Sequence, residues 1–259
     1  MLGSLAGFTD AERVPVADMP ELERWVLHRL SMLDARIRGA VASYDWIGVY
    51  PELHNFCAAD LSAFYFDVRK DALYCDRPDS LRRRAARTVL DHVHRCLTTW
   101  LAPVLCFTAE EAWGARFGDG ESVHLQVFPA WPQEWRDDVL AAKWERIRDI
   151  RRSITAELEV KRKGGEIGSS LQAAVALPLT ASDAKLLTPA EWAEISIVSK
   201  LTIEPAAAGR PEETSEQCAV RVWPAPGTKC VRCWRVLEEV GQQPGHPMLC
   251  ARCADAVES

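Results

Sequence analysis

Nowhere in its 259 residues does the chain hold an apolar run near the roughly 18–20 needed to cross a bilayer, so no membrane partner is expected. Its start, MLGSLAGFTDAER, lacks the basic residues of a secretory leader and meets Asp10 and Glu12 too early for one. A cytoplasmic chain is therefore the expectation. Positive charge is also short. A formal net charge of −6 argues against a protein that coats nucleic acid indiscriminately, though it leaves room for a local basic face.

Signatures of catalysis are missing too. No phosphate-binding G-x-x-x-x-G-K-[ST] loop occurs, and Gly164-Gly-Glu-Ile-Gly168 does not match it. His92 and His94 are two residues apart on a helical pattern, so they face different sides and make no metal pair. Asp60, Asp67, Glu110 and Glu111 have no nucleophile or histidine partner in view and read as helix caps and surface pairs. No active site is legible. Nor is there a low-complexity tract, or any internal repeat beyond a doubled C-x-R-C.

What is present is ordinary globular material: 48% hydrophobic and 26% charged, long enough to bury a core and to hold more than one domain. Residues 1–136 read as an antiparallel helical bundle. One apolar stripe runs through Leu22, Val26, Leu30, Leu33, Ile37 and Val41, and a second through Leu53, Phe56, Cys57, Leu61, Phe64, Tyr65 and Val68. A third, capped by Asp79 or Ser80, takes Ala85, Val89, Val93, Cys96, Leu97 and Trp100, and Pro103 bends or ends it. Thr108-Ala-Glu-Glu111 has the spacing of a capping box opening a short helix through Trp113. A Gly-, Pro- and Trp-rich loop over 118–136 follows.

Residues 137–223 read as a small α+β module. Leu140, Trp144, Ile147, Ile154 and Leu158 mark a helix that stops at Lys161-Arg-Lys-Gly-Gly165. Strands are expected at Leu171–Leu179, Ser199–Ile203 and Ala219–Trp223, with a helix near Pro189–Ile197. Pro224-Ala-Pro-Gly227 is a hinge, and residues 224–259 form a cysteine module. The fold class is thus mainly α, an antiparallel helical bundle followed by a small α+β module and a C-terminal four-cysteine zinc knuckle.

Nine cysteines invite a disulfide reading, but their number is odd, and Cys57, Cys75, Cys96 and Cys106 sit in apolar helical patterns as small hydrophobes. The terminal ones differ. Cys230-Val-Arg-Cys233 and Cys250-Ala-Arg-Cys253 are two C-x₂-C knuckles joined by 16 residues rich in turn-formers, within the usual range for one tetrahedral zinc. Four cysteines close the shell, which marks a structural ion. A module of about 36 residues cannot build its own core, so metal would supply much of its folding energy. His246 lies in a Gly-His-Pro turn and reads as solvated.

Two questions stay open at this level. Arg232 and Arg252 hold matching places in the knuckles, with Trp234 and Arg235 after the first. The arginines either offset thiolate charge while the ring packs inward, or together they make a base-stacking, phosphate-binding surface. Arg82, Arg83, Arg84, Arg87 and Arg95 share a helix, and residues 69–95 and 143–163 each carry eight Lys/Arg against four acids. These are either solvated faces or the footprint of an RNA backbone.

Several stretches together resemble one family. Tyr44-Asp45, Leu53-His-Asn-Phe56, Asp60-Leu-Ser62, Phe64-Tyr-Phe-Asp67, Lys70-Asp71, Leu73-Tyr-Cys75 and Leu101-Ala-Pro-Val-Leu-Cys-Phe-Thr-Ala-Glu-Glu-Ala-Trp113 are similar to the anticodon-binding helical domain of bacterial isoleucyl-tRNA synthetases. Ile167-Gly-Ser-Ser-Leu171, Ile197-Val-Ser199 and Lys229-Cys-Val-Arg-Cys-Trp234 fit that family's C-terminal region and zinc module. Met1-Leu-Gly-Ser-Leu-Ala-Gly-Phe8 resembles the stretch just after the catalytic half, and neither HIGH nor KMSKS occurs.

The resemblance implies a C-terminal portion that binds tRNA(Ile), beside a catalytic domain missing from these residues and without activity of its own. It implies zinc at Cys230, Cys233, Cys250 and Cys253, with Trp234 and Arg232 meeting the anticodon loop; Arg235, Arg82, Arg83 and Arg84 are further RNA candidates. Rival readings are a free-standing RNA-binding protein derived from a synthetase, and a zinc-ribbon interaction or DNA-repair module.

Overall fold

The computed structural model describes residues 1–118, 120–206 and 219–258 and divides into two compact units. The first comprises Met1–Tyr74 and Pro78–Ala141, the second Cys75–Arg77 and Ala142–Ser259.

The first unit is helical because its apolar residues recur at helical spacing and its breaks fall at caps. After a short α1 (Leu2–Leu5), α2 (Glu21–Ser43) buries Leu22, Val26, Leu30, Leu33 and Ile37 of the stripe, whereas Val41, in its last turn, is exposed. It ends where Tyr44 turns left-handed, φ 59°, and the Asp45 amide returns to the Ala40 carbonyl at 2.9 Å. Ser80 caps α5 (Leu81–Leu101), accepting from the Arg83 amide at 3.2 Å, and α5 stops two residues before Pro103.

Between them the second stripe departs from a plain helix. α3 (Tyr50–Asn55) and α4 (Asp67–Cys75) flank Phe56–Phe66, which winds as a wider π-helix. The wider turn brings Asp60 inside with Phe56, Leu61, Phe64 and Tyr65. Asp60, expected at the surface, is instead buried beside Arg29 of α2 at 3.0 Å.

The expected capping box at Thr108 is also corrected. α6 (Cys106–Phe117) starts three residues earlier, with Leu105 as its cap and no side-chain cap bond, which leaves Thr108 inside the helix. Glu110 does cap, but elsewhere: its Oε2 accepts from Ser122 Oγ and the Val123 amide, both at 2.9 Å, at the turn Val123–Leu125. Farther along the loop, Trp131 and Trp135 stack with centroids 4.5 Å apart, and the His92 ring meets both edge-on.

In the second unit α7 (Asp138–Lys163), which begins in the first, buries Trp144, Ile147, Ile150, Ile154 and Leu158 and ends on three basic residues that suit its negative end. A three-stranded sheet has the order β2-β1-β3. β1 (Ala173–Leu179) pairs in parallel with β2 (Lys200–Pro205) and antiparallel with β3 (Arg221–Pro224). As the middle strand β1 is buried on both faces, which explains its unbroken apolar run. The crossover helix α8 (Pro189–Ile195) carries the true capping box, Thr188 with Glu191.

Candidate metal centre

The first knuckle hangs on a two-strand ribbon, β4 (Thr228–Lys229) against β5 (Val236–Leu237). Gly227 enters it at φ 113°, where a Cβ would run into the Leu237 carbonyl, so only glycine fits. Within the ribbon the Cys230 amide donates to the Arg235 carbonyl and the Trp234 amide to the Cys230 carbonyl, each at 2.9 Å. That closed turn points the sulfurs of Cys230 and Cys233 the same way.

The second knuckle straddles the start of α9 (Ala251–Glu258): Cys250 precedes its first residue and Cys253 lies in its first turn. Helix N-terminal amides favour thiolate there. The knuckles are joined by Val231 N–H to the Met248 carbonyl at 3.2 Å and by Cys250 N–H to Cys230 Sγ at 3.4 Å.

All four sulfurs are buried and lie within 4.8 Å of one another. Cys233 and Cys250 are 3.8 Å apart, far beyond a disulfide bond, and all eight described cysteines are free thiols. Zn–S bonds of about 2.3 Å give a tetrahedron with edges of about 3.8 Å. The pocket therefore matches zinc in donor type, number and spacing. The thiols also share protons unevenly. Hydrogen bonding to Cys250 and Cys253 pushes Cys233 far up, while donors from Cys233, Cys250 and Cys75 hold Cys253 far down. A dication held by Cys230, Cys233, Cys250 and Cys253 would take the place of those protons and favour four thiolates. His246 stays outside the cluster, its Nε2 3.2 Å from Glu258 Oε1.

The candidate RNA residues fare differently from one another. Trp234 turns outward, 60% exposed, with Lys229 Nζ 5.5 Å from its ring centroid. Its backbone is left-handed, φ 67°, where glycine would be cheapest. Arg232 donates to the Cys75 carbonyl, and Arg235 Nη2 to the Ser199 carbonyl at 3.0 Å. On α5 in the other unit, Arg82 and Arg83 are half-buried and Arg84 Nε donates to the Glu12 carbonyl at 3.2 Å. Much of the basic surplus over 69–95 is likewise bound to the protein: Arg69 to Glu23, Arg87 to Glu12 and Arg95 to Asp91. Two neighbours of these residues were not singled out from the sequence. Lys229 carried a signal, its place beside the first cysteine; Cys75 carried none.

The helical bundle and the four-cysteine ribbon each match a family of known proteins. Residues 23–177 match the family described as the anticodon-binding domain of tRNA ligase, and residues 227–256 match the zinc finger found in FPG and IleRS. The chain belongs to the anticodon-binding-domain family of tRNA ligases. In particular it is similar to isoleucine–tRNA ligases. It is 54% identical to that of Gluconobacter oxydans over 259 residues, all of this chain and 26% of the relative. It is 46% identical to that of Agrobacterium fabrum and 47% to that of Ruegeria pomeroyi, each over 99% of this chain and 27% of the relative. The chain thus spans about a quarter of the length of the curated relatives it matches. The cysteine cluster fits a structural zinc ion.

Proposed function

We propose that this chain recognises the anticodon stem-loop of tRNA(Ile) as part of an isoleucine–tRNA ligase, in which isoleucine is joined to tRNA at the expense of ATP by residues outside these 259. The cytoplasm, where tRNA is charged, is the proposed location; among the described residues no helix is long and apolar enough to cross a membrane.

One observation supports the reading above others. Trp234 occupies a left-handed position that disfavours a bulky side chain, and there it displays its ring to solvent beside a lysine. Packing gains little from a ring 60% exposed. An unstacked anticodon base gains a platform, and the Lys229 ammonium lies close enough to reach its phosphate. Zinc fixes the turn that aims the ring. Arg232 and Arg235 add positive charge beside it, and Arg82, Arg83 and Arg84 offer further charge on α5.

Trp234→Gly tests this with little structural penalty, because glycine suits the left-handed backbone. The variant should keep one zinc per chain and lose on the order of 10-fold or more in tRNA(Ile) affinity. Full affinity with zinc retained would sink the platform role.

A further inference from the structure

The two C-x-R-C arginines lead to an unassigned feature of the metal centre. Cys75 is 157 residues from Arg232 in sequence, yet it is buried in one cluster with the four ligand cysteines and Val240. Its Sγ lies 3.7 Å from the Arg232 carbonyl and it hydrogen-bonds the Cys253 thiol. Arg232 answers by donating its guanidinium to the Cys75 carbonyl. From the second knuckle, Arg252 Nη1 reaches Asp76 Oδ1 at 3.1 Å, and that carboxylate side chain is only 6% exposed. Arg77 Nη1 meets Asp255 Oδ1 of α9 at 3.1 Å, in the open. Equivalent arginines of the two knuckles thus grip consecutive residues of one segment.

These contacts differ in weight. The exposed Arg77–Asp255 pair contributes little. Asp76 is nearly buried, so its ion pair with Arg252 is screened little by water and loss of that arginine is felt there more than at the surface pair. Cys75 directs its S–H to the Arg232 carbonyl inside the first knuckle, an outer contact that helps hold the backbone between two ligands in place.

We propose that Cys75-Asp76-Arg77 is the outer shell of the zinc site, coupled to the ion through Arg232 and Arg252 as positioning residues. The ion fixes the knuckle backbones, which aim the two arginines, and these seat the segment. Linkage makes the effect reciprocal: what zinc does to the segment, the segment does to zinc. The inference rests on the zinc site and is independent of RNA binding.

Zinc transfer from the full chain to a chromogenic chelator tests it. Asp76→Asn and Arg252→Gln should each release zinc on the order of 10-fold faster than the unaltered protein. The double variant should be no faster than the faster single one, and Arg252→Lys should recover most of the delay. Cys75→Ala should also release faster, which covers the case in which Asp76→Asn does not fold. In hydrogen exchange, stripping zinc should speed exchange at residues 75–77 and leave the middle of α5 unchanged. Unaltered release rates, additive rates, or exchange at 75–77 indifferent to zinc would overturn the coupling. A chain that holds less than half an equivalent of zinc would remove the site itself, a failure distinguishable from these.

Discussion

His92 shows how one side chain carries a pH dependence. Its ring is enclosed by Trp131 and Trp135, and its buried Nδ1 has no hydrogen-bond partner among the described residues. Burial, helped by the Arg13 charge, lowers its pKa from 6.5 to about 4. The fold therefore favours neutral imidazole, whereas the unfolded chain takes up a proton near pH 6.5. This contribution to stability is complete above that value, shrinks as pH falls, and is gone below about 4, at most about 3 kcal/mol. His92→Gln should flatten the decline of the urea midpoint between pH 6.5 and 4; an unchanged slope would count against the assignment. Asp91 acts later in the same direction. Burial raises it, but hydrogen bonds from Arg13 and Arg95 outweigh that and hold it below the usual carboxylate range.

Between elements, buried charge joins what apolar stripes bring together. Glu23 of α2 takes Arg69 of α4 in a two-pronged pair, 2.6 Å at each oxygen, and accepts from Tyr65 at 3.0 Å. Glu23 and Arg69 side chains are 0% and 5% exposed. Glu23→Leu would leave a buried guanidinium without its carboxylate, at a cost of about 3–5 kcal/mol in thermal or urea unfolding. Replacing Arg69 by Met in the same protein should return much of that loss, since a matched apolar pair needs no desolvated charge. If the double variant is as unstable as Glu23→Leu alone, the loss comes from packing and not from the orphaned charge.

For the molecule as a whole, the distribution of charge decides how it can hold RNA. The chain carries a net −6, and many arginines of its basic stretches are turned onto carboxylates and carbonyls of the protein. Arginines held in this way are less available to phosphate, so tRNA(Ile) binding by this chain should be weak and sensitive to salt. Affinity should drop on the order of 10- to 100-fold between 50 and 200 mM salt in a fluorescence titration. A salt-independent affinity would indicate that phosphate contacts contribute little.

Local rules were enough for much of this protein. Helical spacing in α2 and α5, the Ser80 cap, the alternation near β3 and the doubled cysteine knuckle all depend on residues a few positions apart, and sequence displays such spacings directly. A C-x₂-C turn aims two sulfurs at one point by its own geometry, which is why the metal site was legible without a fold. The rest depended on distant partners. Asp60 and Glu23 look like surface acids until the π-helical turn and α4 enclose them, because the benefit of burying a charge depends on a partner that sequence does not place. Arg232 and Arg252 have the same rank in their knuckles and could have faced solvent. Tertiary structure brings Cys75 and Asp76 beside them from more than 150 residues away, and a guanidinium takes the acceptor that packing presents. Trp234, denied the interior by a left-handed turn, is the aromatic of the knuckle left facing out.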